Sequence, residues 1–159
     1  MAADKNKHGA FWDKLGRPRF VVAPMVDQSE LAFRLLCRRY AADLCYTPML
    51  HSRLFCNDPS YRAQRFQTNA QDQPLIAQFC GNDKHVLLKA AQMVQSRVAA
   101  VDLNLGCPQP IAKKVRLRLV MIERVLDCIS NAYQSEFVWV HLIKLFMPGS
   151  LWSVPTPRV

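Results

Sequence analysis

Residues 98–108 read Val-Ala-Ala-Val-Asp-Leu-Asn-Leu-Gly-Cys-Pro. A mostly apolar run ends at Leu105 and is followed by a small Gly, a thiol and a Pro-stiffened turn, a pattern that predicts a buried strand ending at this turn. In α/β proteins with parallel sheets, chemical groups gather just beyond the carboxyl ends of the strands. Cys107 is therefore the first candidate for a chemical role, and the alternative is a small, inert, buried side chain.

Strand-like and helix-like patterns alternate upstream of this segment. Strands are predicted over residues 20–23, 44–46 and 76–79, and a helix over 29–40, where apolar side chains recur at helical spacing. Asp83 is placed to cap a second helix. The apolar face of that helix comprises Val86, Leu87, Ala90, Ala91 and Val94. Regular alternation of strand and helix implies a parallel sheet.

Two local signals refine this pattern. Asp27 and Glu30 are spaced as a capping box for the first helix. The stretch 50–73 is polar, and residues 57–60 (Asn-Asp-Pro-Ser) are typical of a turn. We therefore expect an excursion between the second and third predicted strands.

Four motifs, in matching order, carry a resemblance to a known family. Residues 103–108 closely resemble the Asn-Leu-Gly-Cys-Pro motif of the tRNA-dihydrouridine synthases. Residues 21–27 (Val-Val-Ala-Pro-Met-Val-Asp), 44–49 (Leu-Cys-Tyr-Thr-Pro-Met) and 74–81 (Pro-Leu-Ile-Ala-Gln-Phe-Cys-Gly) resemble its first three barrel strands. The pattern is similar to that of the eukaryotic D-loop uridine 16/17 subfamily. The resemblance covers about residues 20–114 and implies an α/β fold, the N-terminal portion of a (β/α)8 TIM barrel.

The resemblance implies flavin-dependent reduction of uridine to dihydrouridine in tRNA. This reaction adds a hydride and a proton across the C5=C6 bond, and no side chain can donate hydride, so a cofactor is required. The family's cofactor is FMN, recharged by NADPH or NADH. Cys107 would then be the general acid that protonates C5. A free thiol titrates near about 8.5 and is therefore mostly protonated at neutral pH.

The same resemblance implies roles for five further residues. Pro24, Met25 and Val26 would pack against the isoalloxazine and offer backbone groups, whereas alone they would be typical of plain core. Gln78 would hydrogen-bond the carbonyl and ring-nitrogen edge of the flavin, or it is an ordinary half-buried strand residue. Asn104 has donors and an acceptor suited to a uracil edge or a flavin carbonyl, or it closes the strand-end turn.

Other polar residues are weaker candidates. His51 follows a strand, but a capping or solvent-facing role is the simpler interpretation. Arg34, Arg38 and Arg39 lie on one predicted helix, and we expect them on a solvated outer face rather than in an RNA groove. The Lys pair at 113–114 follows the Cys107 turn closely enough to meet RNA phosphates, or is simply solvated.

Charge and cysteine content limit the partners. The net charge of the 159-residue chain is +9, with eight basic and four acidic residues in 1–40, six and five in 41–112, and seven and three in 113–159. Basic ends favour a polyanion such as tRNA, although solvated tails are an alternative. The six cysteines form no CxxC pair, so neither a zinc site nor a disulfide framework is indicated, and we expect no metal.

Targeting signals are not evident either. The first ten residues lack the apolar core of a signal peptide and the composition of a transit peptide. The apolar stretch 137–147 contains His141 and Lys144 and is about half the length of a membrane span. We therefore expect no membrane association and a cytoplasmic or nuclear location.

Length predicts an incomplete barrel. A complete (β/α)8 barrel typically takes roughly 250 residues. We expect a basic N-terminal extension (1–19), a partial flavin-binding and catalytic barrel (20–114) and a divergent tail of uncertain structure (115–159), within which 115–131 suggests a helix and 137–146 a strand. The tail offers no glycine-lined phosphate cradle. Open parallel edges would favour self-association, so this product is expected to be inactive or unstable.

Two other functions remain open from the sequence. One is a flavin-dependent barrel reductase of a small free pyrimidine. The other is a non-catalytic product that binds RNA or a protein partner through its basic ends. Salt-sensitive RNA binding that is unchanged by Cys107→Ala would distinguish the latter from the enzyme.

Overall fold

The computed structural model describes residues 11–104. Its strands are β1 (Val21–Val22), β2 (Leu44–Tyr46), β3 (Leu50–His51), β4 (Leu75–Cys80) and β5 (Ala100–Leu103). Residues 11–14 are helical. The helices that follow are α1 (Leu31–Arg39), α2 (Ser52–Asn57), α3 (Pro59–Arg65) and α4 (Lys84–Val94). The helix and strand predicted for the tail lie outside these residues.

The strands form one parallel sheet in which neighbours follow the order of the chain. β1 pairs with β2, β2 with β4, and β4 with β5. β3 also pairs with β4, with Leu50 opposite Phe79, and therefore continues the line of β2. The break between β2 and β3 contains Pro48, which has no N–H to donate to a sheet. Four adjacent strand positions with intervening helices form the first part of a (β/α)8 barrel, which confirms the predicted fold class.

The sheet buries both faces, as a parallel sheet does. Every residue of β4 and β5 is buried. On one face, Leu75, Ala77 and Phe79 of β4 belong to the large apolar core. The helical part of that core comes from Leu87, Ala90, Ala91 and Val94 of α4. These four helix residues were predicted to lie on the apolar face.

The opposite face, which becomes the barrel interior, carries a second and smaller core. Ile76 of β4 and Ala100 of β5 are register partners there, and Leu44 of β2 packs with them. Phe11 and Leu15 pack onto them and are buried. Residues 11–15 thus cover the amino-terminal end of the sheet interior. The next interior layer is polar and contains the register partners Gln78 and Asp102, since side chains on one face recur every two residues.

The junction of β4 with α4 follows the prediction. The Asp83 carboxylate accepts hydrogen bonds from the backbone N–H groups of His85 and Val86, at 2.9 and 3.3 Å, and caps α4. Gly81 precedes this cap in a site without room for a side chain, because a Cβ there would collide with Ser52 Oγ and crowd Leu87. The close approach of α2 to α4 therefore depends on this glycine.

The capping box predicted for α1 is wrong. Glu30 occupies the N-cap position, but it makes no side-chain capping bond. Asp27 lies in a turn with a φ of 57° and pairs instead with Arg65 of α3. The chain makes an extra turn between Asp27 and the helix start at Leu31, so the two capping positions never face each other.

The polar stretch 50–73 is more regular than the sequence indicated. It contains β3 and two short helices, α2 and α3, which meet at Asp58. The Asp58 carboxylate accepts from the N–H groups of Ser60 and Tyr61, and Pro59 occupies the first helical turn. The turn predicted at 57–60 is thus a helix junction. Phe55 and Phe66 anchor the segment to the large core through edge-to-face ring contacts.

Within residues 11–104 there are four free thiols, but no membrane-spanning helix and no metal-ligand cluster. No helix between residues 11 and 104 has the length and apolarity to cross a membrane. Over the same range, no cluster of three His, Cys, Asp or Glu side chains could hold a metal ion. Cys37, Cys45, Cys56 and Cys80 are free thiols, and burial raises the pKa of the Cys45 thiol.

Candidate functional site

A cavity of about 300 Å³ opens at the carboxyl ends of the strands. This volume is at the lower end of the range for small-molecule sites. One wall is apolar and the opposite edge carries amides. The lining residues are Pro24, Met25, Val26, Gln28, Met49, Gln78 and Asn104. A flat ring with a polar edge suits such a cavity.

The apolar wall is a rigid turn that follows β1. Ser29 is fully buried, and its Oγ accepts from the backbone N–H of Met25 at 3.0 Å and lies 3.1 Å from the Met25 carbonyl oxygen, to which it donates. The N–H groups of Gln28 and Ser29 also donate to this carbonyl. Asp27, at the tip, adopts the left-handed conformation, which its short polar side chain tolerates. The Met25 backbone is thus fixed from both sides.

A buried ion pair supports this turn from behind. Arg34 is 1% exposed, and both its Nε and Nη2 donate to the carboxylate of Asp72, which is 0% exposed. Nη1 donates to the Ser29 carbonyl at 2.6 Å, and Nη2 also donates to the carbonyl of Gln67 at 2.7 Å. Arg34 therefore joins the turn to the segment that precedes β4.

The expected solvated face is wrong for two of the three arginines of α1. Arg34 is the one buried residue within the described helix α1. Arg38 is mostly buried, lies 3.5 Å from Asp72 and donates to the Pro74 carbonyl at 2.6 Å. Arg39 is exposed. The helix directs its inner arginines at a buried carboxylate and at carbonyls because these acceptors would otherwise lose hydration without a partner.

The polar edge of the cavity is a chain of side-chain hydrogen bonds. Gln78 Nε2 donates to Asp102 Oδ2 at 2.6 Å, and Asn104 Nδ2 donates to Gln78 Oε1 at 3.3 Å. Gln78 faces Asp102 in the register of β4 and β5. The backbone N–H of Gln78 donates to Thr47 Oγ, and that of Asn104 to the Phe79 carbonyl. Both amides are therefore fixed in position by the sheet.

Tyr46 packs against the smaller core and lies close enough to Asp102 to interact with its carboxylate. Burial, together with the nearby Asp102 carboxylate, raises the pKa of the Tyr46 phenol to about 12. Both effects disfavour the phenolate. Tyr46 is therefore neutral at physiological pH.

The structure brings five of the six predicted site residues to one cavity: Pro24, Met25, Val26, Gln78 and Asn104. The sixth, Cys107, lies outside the described residues, as does the Lys pair at 113–114. His51 does not line this cavity and stands at the start of α2.

Sequence reasoning missed Gln28, Met49 and Asp102. For Asp102, the available signal was its position two residues before Asn104 in a strand, which places both side chains on the same face. Met49 ends the motif 44–49 and Gln28 directly follows the motif 21–27, but position in a motif or loop does not reveal which side chains face inward.

Comparisons with known proteins agree with this geometry. The sequence model of the dihydrouridine synthase family matches residues 21–117. The chain is 56% identical over 115 residues to a tRNA-dihydrouridine(16/17) synthase (NAD(P)(+)) of Schizosaccharomyces pombe, covering 70% of this chain and 29% of the relative. It is 57% identical over 123 residues to the protein of the same name from Saccharomyces cerevisiae, covering 76% and 29%.

A third relative is named for different tRNA positions. A human tRNA-dihydrouridine(20a/20b) synthase (NAD(P)+)-like protein is 48% identical over 111 residues, covering 70% of this chain and 32% of the relative. The aligned part of the chain thus spans about three tenths of the length of these relatives. All four motifs that carry the resemblance fall within the region that the family model covers. The chain belongs to the dihydrouridine synthase family.

Proposed function

We propose that this chain carries the flavin- and uridine-binding part of a tRNA-dihydrouridine synthase, which reduces uridine to dihydrouridine in tRNA. The observation that carries the proposal is the cavity at the carboxyl ends of the strands, with an apolar turn on one side and an amide pair on the other. The names of the relatives supply the substrate, tRNA, and the reductant, NADH or NADPH.

The lining residues suit FMN as the cofactor. Pro24, Met25 and Val26 offer an apolar surface for one face of the isoalloxazine, and Gln78 and Asn104 offer hydrogen bonds to a polar ring edge. When bound, reduced FMN supplies the hydride for C6 of uridine, which no side chain can supply. The turn after β1, held by Ser29 and Arg34, keeps the apolar surface in place.

Cys107 is the proposed proton donor. It follows Asn104, which lines the cavity, by three residues in the sequence. Its thiol gives a proton to C5 of uridine, and the thiolate is reprotonated by solvent. Asn104 is proposed to bind the uracil or the flavin carbonyl beside it. No metal takes part in this proposal.

The partner of the reaction is tRNA, whose phosphates attract the basic ends of the chain. This substrate agrees with a cytoplasmic or nuclear location. The aligned part of the chain spans about three tenths of the length of the relatives. The activity of the complete relatives is therefore a proposal for this chain. The length of the chain predicts the opposite outcome, an inactive product, and assays of flavin binding and of turnover decide between the two.

The first test is flavin binding by the purified full chain, followed through the visible absorbance of added FMN. We expect a perturbed flavin spectrum, and an affinity at least about tenfold lower for Asn104→Ala, since one buried hydrogen bond is removed. Asn57→Ala, at the exposed end of α2, is the matched control and should leave the affinity unchanged. A folded chain without any bound FMN would contradict the flavin site.

The second test is dihydrouridine formation in unmodified tRNA with NADPH or NADH. Cys107→Ala should abolish turnover, whereas Cys37→Ala, on α1 and away from the cavity, should leave it intact. Turnover of free uridine in preference to tRNA would instead identify a reductase of small pyrimidines.

The concentration of charge at the two ends of the chain favours a second candidate, a non-catalytic RNA-binding protein. In that case tRNA binding should weaken steeply with salt and be the same for wild type and Cys107→Ala, without any dihydrouridine being formed.

A further inference from the structure

The proposed reaction leaves one buried carboxylate of the interior layer without a role. Asp102 is 2% exposed and lies on the inner face of β5, directly opposite Gln78 of β4. Removing a carboxylate from water is costly unless its oxygens accept hydrogen bonds. We therefore expect Asp102 to hold a neighbouring polar group in place.

Asp102 determines the direction of the hydrogen bonds along the polar edge. An ionised carboxylate only accepts, whereas a glutamine side chain can donate from one end and accept at the other. The 2.6 Å contact between Gln78 Nε2 and Asp102 Oδ2 therefore commits the NH₂ end of Gln78 to Asp102. Oε1 then points the other way, where it accepts from Asn104 Nδ2 at 3.3 Å. One carboxylate thus orients two amides.

The position of the Gln78 side chain does not decide this direction by itself. Its backbone is held by the sheet and by Thr47 Oγ, but rotating the terminal amide by 180° keeps its shape and exchanges a donor for an acceptor. With Asp102 in place, one of the two orientations brings two acceptor oxygens together, and it is excluded.

We propose that Asp102 is a positioning residue that fixes the Gln78 amide so that its carbonyl oxygen faces the cavity. This edge of the site then accepts a hydrogen bond and recognises a ring that carries an imide N–H between two carbonyls. The inference rests on the proposed function, in which that ring is the flavin. The resemblance implied that Gln78 binds the carbonyl and ring-nitrogen edge of the flavin. The orientation set by Asp102 restricts this contact to the imide N–H at the centre of that edge.

The binding test compares FMN with N3-methyl FMN, in which the imide N–H is replaced by a methyl group, on the full chain. Wild type should bind the methylated flavin at least about tenfold more weakly than FMN, because a buried acceptor loses its donor. In Asp102→Asn, the new amide can either accept from or donate to Gln78, so both orientations of the Gln78 amide find a partner. The preference should then fall to within about threefold. Asp13→Asn, an exposed aspartate, is the control and should keep the wild-type preference. An Asp102→Asn chain with the full preference would overturn the proposal.

A second measurement needs no flavin. In a ¹H–¹⁵N spectrum, the side-chain amide of Gln78, assigned by its disappearance in Gln78→Met, should show one proton shifted far downfield by the carboxylate. In wild type, two closely spaced amide protons would overturn the proposal even if Asp102→Asn failed to fold. Conversely, the downfield proton together with no FMN binding by wild type would contradict the flavin site and leave the orienting role of Asp102 intact.

Discussion

Tyr46 joins the apolar and polar layers of the barrel interior, and its titration tests that placement. The pKa of its phenol is about 12, raised by burial and by Asp102, whereas an unfolded tyrosine titrates near 10. The stabilisation that depends on the neutral phenol is therefore complete below about pH 10 and is lost as the pH rises towards 12.

We expect the free energy of unfolding of wild type to fall more steeply between pH 10 and 12 than that of Tyr46→Phe. Denaturant melts at a series of pH values measure this difference. Parallel curves for the two proteins would show that Tyr46 is not shielded from water in the way its position indicates.

Asp72 illustrates a different residue-scale effect, the dependence of one buried charge on another. It accepts from Arg34 and lies 3.5 Å from Arg38, so Asp72→Ala leaves two guanidinium groups without their carboxylate. Removing one partner of a buried pair costs about 3–5 kcal/mol of unfolding free energy. Urea denaturation followed by circular dichroism measures the loss, and a change below about 1 kcal/mol would contradict the role of Asp72 as the buried partner.

The residues that line the cavity could be predicted where they lie in short recognisable motifs. The buried residues that hold the cavity walls in place could not. Gln78 and Asn104 stand in recognisable sequence contexts. Arg34 and Asp72 are 38 positions apart, and no local pattern links them. A helix containing several arginines ordinarily exposes them, so helical periodicity assigned Arg34 to solvent, and the tertiary acceptors around it decided otherwise.

At the scale of elements, two aspartates that both precede a helix in the sequence differ in function, because only one of them caps its helix. Asp83 accepts from two backbone N–H groups at the start of α4, whereas Asp27, predicted as a cap, makes an exposed ion pair with Arg65. Asp83→Ala should therefore lower the free energy of unfolding by about 0.5–2 kcal/mol.

Asp27→Gly is the control for this prediction, because glycine removes the carboxylate and adopts the left-handed φ of 57° without strain. An exposed pair contributes little, so the control variant should unfold within experimental error of wild type. Thermal melts of the two variants compare them directly. Equal losses would restore the capping role that the sequence suggested for Asp27.

The accuracy of the predicted elements depends on their length and burial. β2 was predicted at its observed bounds, and the prediction for β4 was one residue short at each end, since both are apolar runs between turn signals. α4 has three turns and a clear apolar face. α2 and α3, with six and seven residues, are too short to display a helical period, and they form because Asp58 caps one and Phe55 anchors the other.

At the scale of the whole molecule, the described sheet has β1 at one edge and β5 at the other. Large apolar side chains are exposed on and beside β1 and on and just after α1, and together they are called the apolar patch. Its residues, with their exposed fractions, are Phe20 (59%), Val21 (48%), Phe33 (38%), Leu36 (49%) and Tyr40 (82%). The predicted apolar stripe of α1 is therefore only partly covered by the sheet.

A patch of this kind, next to a strand edge that pairs with no other strand within residues 11–104, favours association with a second copy of the chain. We expect the purified full chain to form dimers or larger species at micromolar concentration, and Leu36→Glu to shift it towards monomer, because a charge in the centre of the patch would have to be desolvated on association. Light scattering coupled to size exclusion measures the shift. Leu54→Glu, on the exposed face of α2, removes a similarly exposed leucine elsewhere and should leave the oligomer unchanged. If wild type is monomeric at these concentrations, the patch is not a contact between copies, and the expected self-association is wrong.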